Sequence, residues 1–275
     1  MDMMRTLLKH LLSNFLFLFL ATVPVAFAQT DFTYERDREE TPSMEEMLEA
    51  REVFEYEVRY GFFTLGWVDV ELLPDTTYNG EKAYHLRTTM RSNSRLPLMG
   101  TKIVNYENIF QYNEKWPYSF EFWRDDVHDE EYNSARIIFD READAVRFYE
   151  HGEPTDTLAL KEPASGGDII FYYSRKFAGL EEEYTLPAYI EGQMGLVTSK
   201  SGPKTEMREY DAFDEPIETY RSEGIADVDG PFGFNGKFKS WFSTDDLRVP
   251  VEAHVRVIFG NVKVRLINYE RRGQN

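Results

Sequence analysis

The alternation of apolar and polar positions is clearest between Gly236 and Tyr269. That stretch reads as three antiparallel strands: Gly236–Thr244, ending at the acidic corner Asp245-Asp246, then Val249–Phe259, then Val262–Tyr269. Val255, Val257 and Phe259 share one face and His254, Arg256 and Ile258 the other, the period of two that a strand imposes. Gly260-Asn261 between the last two runs signals a two-residue hairpin.

The same period recurs upstream. Val53, Glu55, Glu57 and Arg59 alternate with Phe54, Tyr56, Val58 and Tyr60; Gly61–Gly66 then leads into Trp67–Leu72, and Asn79-Gly80 turns the chain into Ala83–Arg87. Thr101–Tyr112, Tyr118–Arg124, Ala135–Phe139, Ala145–Glu150, Glu183–Glu191, Met194–Lys200, Thr205–Asp211 and Ile217–Gly224 read as further strands. Strands at intervals of roughly 10 residues, separated by turn residues, predict a mainly β protein. Its expected form is one large curved antiparallel sheet or incomplete β-barrel. One segment breaks the rhythm. After Gly166-Gly167, Asp168 can cap a helix and Gly179 can end it, which predicts one short helix near Asp168–Ala178. Ile169, Tyr172, Tyr173 and Phe177 fall near one face, and the helix is expected to cover the mouth or open side of the sheet.

The amino end speaks to compartment. Arg5, Lys9 and His10 precede the apolar run Leu11–Ala21, followed by Pro24 and the small-residue site Ala26-Phe27-Ala28. This reads as a secretory signal peptide over residues 1–28, an uncleaved membrane anchor being the alternative. Residues 29–50 form an acidic lead-in, flexible over 29–40, with a capping box at Ser43 and Glu46; residues 51–275 are expected to make a single β domain. No later run approaches the ~20 apolar residues of a membrane helix. The mature chain is thus expected outside the cytoplasm, in a bacterial periplasm first and secreted second.

Composition narrows the chemistry. Hydrophobic residues at 42%, with 15% aromatics, supply a core. The absence of cysteine excludes disulfides, thiolate metal sites, cysteine nucleophiles and a lipidated N-terminal cysteine. A net charge of −18 repels phosphate backbones and anionic lipid headgroups, which argues against a nucleic-acid partner and leaves basic partners and divalent cations open.

His85, His128, His151 and His254 form no metal-ligand spacing, and the acidic clusters Asp125–Glu131 and Asp227–Asp229 lack the spaced ligands of a calcium loop. No metal and no cofactor is expected. Asp245-Asp246 near Arg248 fits an Asx-type turn better than an acid–base pair. There is no GxSxG elbow, and Gly230–Lys237 has the wrong spacing for a phosphate loop. A non-catalytic protein is therefore expected; a hydrolase would need His and carboxylates converging from distant strands. Leu98, Met99, Phe171, Tyr172, Tyr173, Phe232 and Phe234 are apolar in segments read as loops or helix. They are the candidate ligand contacts, unless these loops fold over their own sheet end.

Three motifs together resemble the bacterial exported "domain of unknown function 3108" family. The first is Phe54–Val58 with Gly66-Trp67; the second is Gly167-Asp168 leading into Tyr172–Arg175. The third runs from Ser243 to Val251 and holds Asp245, Asp246, Arg248 and Pro250, with Gly260 closing the next hairpin. The resemblance covers nearly all of the chain after about Val53. It implies an envelope protein of antiparallel β structure and supplies no activity. A weaker, fold-level analogy is to periplasmic lipoprotein-carrier open barrels. The expectation is an exported protein binding a lipid, a lipoprotein acyl chain or another amphipathic ligand. The alternatives are an interaction or assembly module for envelope or surface polymers, whose partner is an envelope protein, and more remotely a hydrolase.

Overall fold

The computed structural model describes residues 41–275 apart from 97–99, 114–115, 128–132, 191, 231–233, 258–259 and 274–275. The expected signal peptide and residues 29–40 lie outside the described residues. Those described belong to one compact unit, Tyr34–Asn275.

Seventeen strands make one mostly antiparallel sheet. They are β1 (Ala50–Tyr60), β2 (Phe63–Leu72), β3 (Thr76–Tyr78), β4 (Glu81–Ser92), β5 (Ile103–Tyr112), β6 (Pro117–Asp126), β7 (Asn133–Asp140), β8 (Ala145–Glu150) and β9 (Glu153–Ala159). They continue with β10 (Ser165–Gly166), β11 (Glu183–Ile190), β12 (Gln193–Lys200), β13 (Thr205–Arg208), β14 (Ile217–Gly230), β15 (Phe234–Ser243), β16 (Pro250–Val257) and β17 (Gly260–Gly273). From β9 back to β4 each strand pairs with its sequence neighbour, and β4 then pairs with β2. β1 sits between β2 and β17, so the two ends of the strand run meet in the middle of the sheet. Past β17 the order is β16, β15, β14, β12, β11, β10, with only β10–β11 parallel.

The sheet curls without closing. Its two arms touch where Ser119 N of β6 donates to Ala164 O at 3.0 Å and Gly166 N of β10 donates to Ser119 Oγ at 3.0 Å. One requirement of the curl is local. A Cβ on Gly66 would stand 2.1 Å from the Arg91 carbonyl oxygen, so only glycine lets β2 and β4 approach there.

Strand alternation places Phe54 and Tyr56 of β1, Val70 and Leu72 of β2, Leu86 of β4, Phe110 of β5 and Leu266 of β17 in one core. The helical segment runs through Gly167–Ile169 (3₁₀), α2 (Ile170–Tyr173) and Ser174–Phe177 (3₁₀). Its apolar side chains are buried on more than one side. Ile169 and Tyr172 join the core just named, while Ile170 packs on Ala188, Val197 and Ala226 of the other arm. Tyr173 and Phe177 stack on Tyr184, with centroids 5.6 and 4.3 Å away. The segment is a plug held between the arms. The physical reason is that its apolar side chains point several ways at once, so one covered face cannot bury them.

Gly166, not Asp168, holds the cap position of the plug, and Asp168 lies in its first turn. Gly179 ends the segment at φ +86°. An earlier helix, α1 (Met44–Leu48), carries the expected capping box: Glu46 N donates to Ser43 Oγ and Ser43 N to Glu46 Oε2. The Asn79-Gly80 turn forms as expected, with φ +52° and +86°. The β16–β17 hairpin also forms, but Val257 stands opposite Gly260, so the connection precedes Gly260-Asn261.

Candidate functional site

The three sequence motifs meet at one cluster built on a fully buried ion pair. Glu52 and Arg175, 123 positions apart, are both 0% exposed. The Arg175 guanidinium donates to both Glu52 carboxylate oxygens, at 2.7 and 3.1 Å. Tyr269 Oη donates to Glu52 Oε1 at 2.8 Å, and Arg175 Nε donates to the Leu247 carbonyl at 2.8 Å. Tyr56 Oη donates to the Pro250 carbonyl at 2.8 Å. The guanidinium also lies 5.4 Å from the Tyr172 ring centroid and 5.9 Å from that of Phe54. Burial opposes the charge on Arg175, yet the charge and hydrogen bonds of Glu52 outweigh it and hold the guanidinium above its usual pKa.

The acidic corner serves this cluster. Asp245 Oδ1 accepts from Leu247 N at 2.9 Å and Arg248 N at 3.0 Å, the Asx turn expected from the sequence. Arg248 takes φ +51°, and its guanidinium donates to the Thr244 and Asp245 carbonyls. The turn thereby presents Leu247 O to Arg175 and Pro250 O to Tyr56. Asp246 makes none of these bonds. The cluster ties β1, the plug and the corner together.

Asp168 is the second buried charge. Asn108 Nδ2 of β5 donates to its Oδ1 at 2.7 Å, while among the described residues its Oδ2 and Asn108 Oδ1 have no partner. Burial pushes its carboxyl up to about 6, against the lowering effect of Asn108 and the plug's first backbone N–H groups.

Two further carboxylates lie on the opposite face of the sheet. Glu107 meets His85 Nε2 at 2.5 Å and Arg87 Nε at 2.8 Å; Glu252 meets Arg208 Nη2 at 2.5 Å and His254 Nε2 at 2.6 Å. Burial raises both carboxyls, and their histidine and arginine partners more than reverse it. Each histidine is thus held in an ion-paired group centred on a carboxylate. His151 sits in a turn, and His128 lies outside the described residues. Among the described residues no three His, Asp or Glu are arranged to hold a metal ion, and no helix is long and apolar enough to cross a membrane.

The curl's free space lies beyond the plug. Along β1 the interior positions step from Phe54 through Tyr56 to Val58; along β17 they step from Leu266 to Val264 and Val262; β2 runs from Leu72 through Val70 and Val68 to Gly66. Side chains that shrink along neighbouring strands leave a gap. It is a cavity of about 240 Å³ walled by Val58, Val68, Met90, Val255, Val257 and Val264 among others. Phe234 and Trp67, both singled out from the sequence, are also on its wall. The other candidates fall elsewhere. Tyr172 and Tyr173 are buried in the plug, and Phe171 packs edge-on against Phe54, with centroids 4.9 Å apart. Leu98, Met99 and Phe232 lie outside the described residues.

The valines of the wall were legible only in part. The period of two puts Val255 and Val257 on one face of a strand, but nothing local marks that face as the lining of a cavity. Glu52, at the start of β1, carried no signal at all.

A protein family described as "Protein of unknown function (DUF3108)" matches residues 55–267. No curated protein matches the sequence. Among solved structures, a beta-barrel-like protein of domain of unknown function DUF1849 from Brucella abortus aligns with a TM-score of 0.48 at 8% identity, over 81% of this chain and 98% of that one. A Bacteroides fragilis protein with a YmcC-like fold aligns with a TM-score of 0.34 at 10% identity, over 84% and 98%.

Proposed function

We propose that this chain, which belongs to the DUF3108 family, is an exported, non-catalytic envelope protein that binds an apolar chain, such as the acyl segment of a lipid or lipoprotein, in the cavity beyond the plug. The observation that supports the reading is the chemistry of the wall: valines, Met90 and Phe234 facing about 240 Å³ of open space. Water there finds few hydrogen-bond partners, whereas an alkyl chain loses nothing by entering. At about 0.8 kcal/mol per buried methylene, roughly seven methylenes supply about 5–6 kcal/mol, enough for affinity of roughly tens to a few hundred micromolar from the chain alone. A polar headgroup stays at the open end, where Ser92 and Arg91 border the cavity.

The test is titration of the purified protein with a fluorescent fatty acid. Saturable binding of one probe per chain is expected, and Val257→Asp should weaken it at least about tenfold, because a carboxylate in the wall must be desolvated. Val255→Phe, which fills space and adds no charge, should do the same in a protein that still unfolds cooperatively. Probe binding that never saturates, or that neither variant changes, would sink the reading.

A further inference from the structure

We infer that the end of the sheet carrying the cavity docks onto an anionic lipid surface, with the β1–β2 tip entering the bilayer interface. The first observation is apolar exposure. Phe62 is 82% exposed, Phe63 48% and Tyr60 45%, half of the exposed large hydrophobic residues described, and all three sit on one tip. The Phe62 and Phe63 rings lie 4.2 Å apart, so they present one continuous aromatic surface to solvent. Aromatic side chains exposed this way are costly in water and suited to the headgroup boundary.

The second observation is charge, and it is independent of the first. Residues 59–66, 91–102, 231–239 and 255–263 contain eight Lys and Arg and no Asp or Glu, in a chain with 49 acidic and 31 basic residues. Arg59, Arg91, Lys102 and Lys239 are paired with Glu57, Asp69, Asp126 and Glu223 outside those stretches, which leaves four cations to set the local charge. These stretches belong to β1–β2, β4, β15 and β16–β17, the strands that wall the cavity. Pairing keeps them contiguous: Gly66 faces Ser92, Arg59 faces Lys263, and Val255 faces Val262. Arg95, Lys237, Arg256 and Lys263 are all exposed, and among the described residues none has an ion-pair partner. The −18 of the whole chain argued against anionic lipid, but charge acts over about one Debye length, roughly 10 Å at ordinary salt. What a bilayer meets is the local charge of this end. Asp126 of β6 holds Lys102 at 3.2 Å.

This goes beyond the ligand reading and does not depend on it, since it concerns the outer surface. The experiment is co-sedimentation with phosphatidylglycerol-containing vesicles and with pure phosphatidylcholine vesicles, at low and high salt. Binding is expected to the anionic vesicles only and to fall as salt rises. Arg256→Glu with Lys263→Glu, and separately Phe62→Ser with Phe63→Ser, should each lower the partition constant at least about tenfold. All four positions are at the surface, so the melting temperature should not move. Val255→Phe, which fills the cavity without changing charge, should leave sedimentation unchanged, and F62S/F63S should leave fatty-acid binding unchanged, so failure of docking and failure of cavity binding read out separately. Equal binding to both vesicle types, no binding to either, or full binding by the variants would overturn the inference.

Discussion

Replacing Glu52 by glutamine tests the buried cluster at its centre. The substitution keeps shape and removes one charge, leaving the Arg175 guanidinium at 0% exposure without its counterion. Breaking a buried pair from one side costs about 3–5 kcal/mol, because the surviving charge stays desolvated. That is a large share of the roughly 5–15 kcal/mol that holds a domain together. For a domain of this size it lowers the melting temperature by about 6–20 °C. Urea unfolding of the protein, followed by tryptophan fluorescence, measures it. A second variant separates charge from shape. Glu52→Leu with Arg175→Met removes both charges and should recover most of the loss, falling short by about 1–3 kcal/mol because the Leu247 carbonyl loses its donor. If E52Q unfolds within about 1 kcal/mol of the parent, the cluster does not hold the fold and this reasoning is wrong.

Other expectations follow from single sites. Asp168 titrates at about 6 when folded, above its unfolded value, so its contribution falls as pH rises from about 4 through 6; two units correspond to about 3 kcal/mol. Asp168→Asn should therefore gain on the parent by about that amount between pH 4 and pH 7; a constant difference across that range would refute the assignment. Glu252 behaves oppositely: Arg208 and His254 hold its carboxyl low, so its contribution is present above about pH 4.5 and disappears on acidification, and Glu252→Gln should flatten that part of the stability profile. Ser43→Ala should cost about 1 kcal/mol in thermal unfolding through loss of the α1 capping box.

The strand pattern was readable because burial on one face leaves a period of two, and Phe54, Tyr56 and Val255 all follow it. β9 escaped notice because its residues Glu153–Ala159 are almost all exposed, so no apolar face marks it. The plug was legible as a helix but not as an interior element, because periodicity records which residues want cover and not what supplies it. Glu52 and Arg175 are separated by most of the sheet, and no local rule pairs them. The cavity is a different kind of omission. It arises where small side chains from several strands face one another, a property of register that Val58, Val68 and Val264 do not carry singly.

Native mass spectrometry of the protein, purified without detergent from a bacterial envelope, addresses the ligand directly. The expected result is a stoichiometric adduct that extracts into organic solvent, is identified there as an acyl-chain lipid, and is missing from Val257→Asp. A clean mass for the parent that stays clean after incubation with envelope lipids would contradict it.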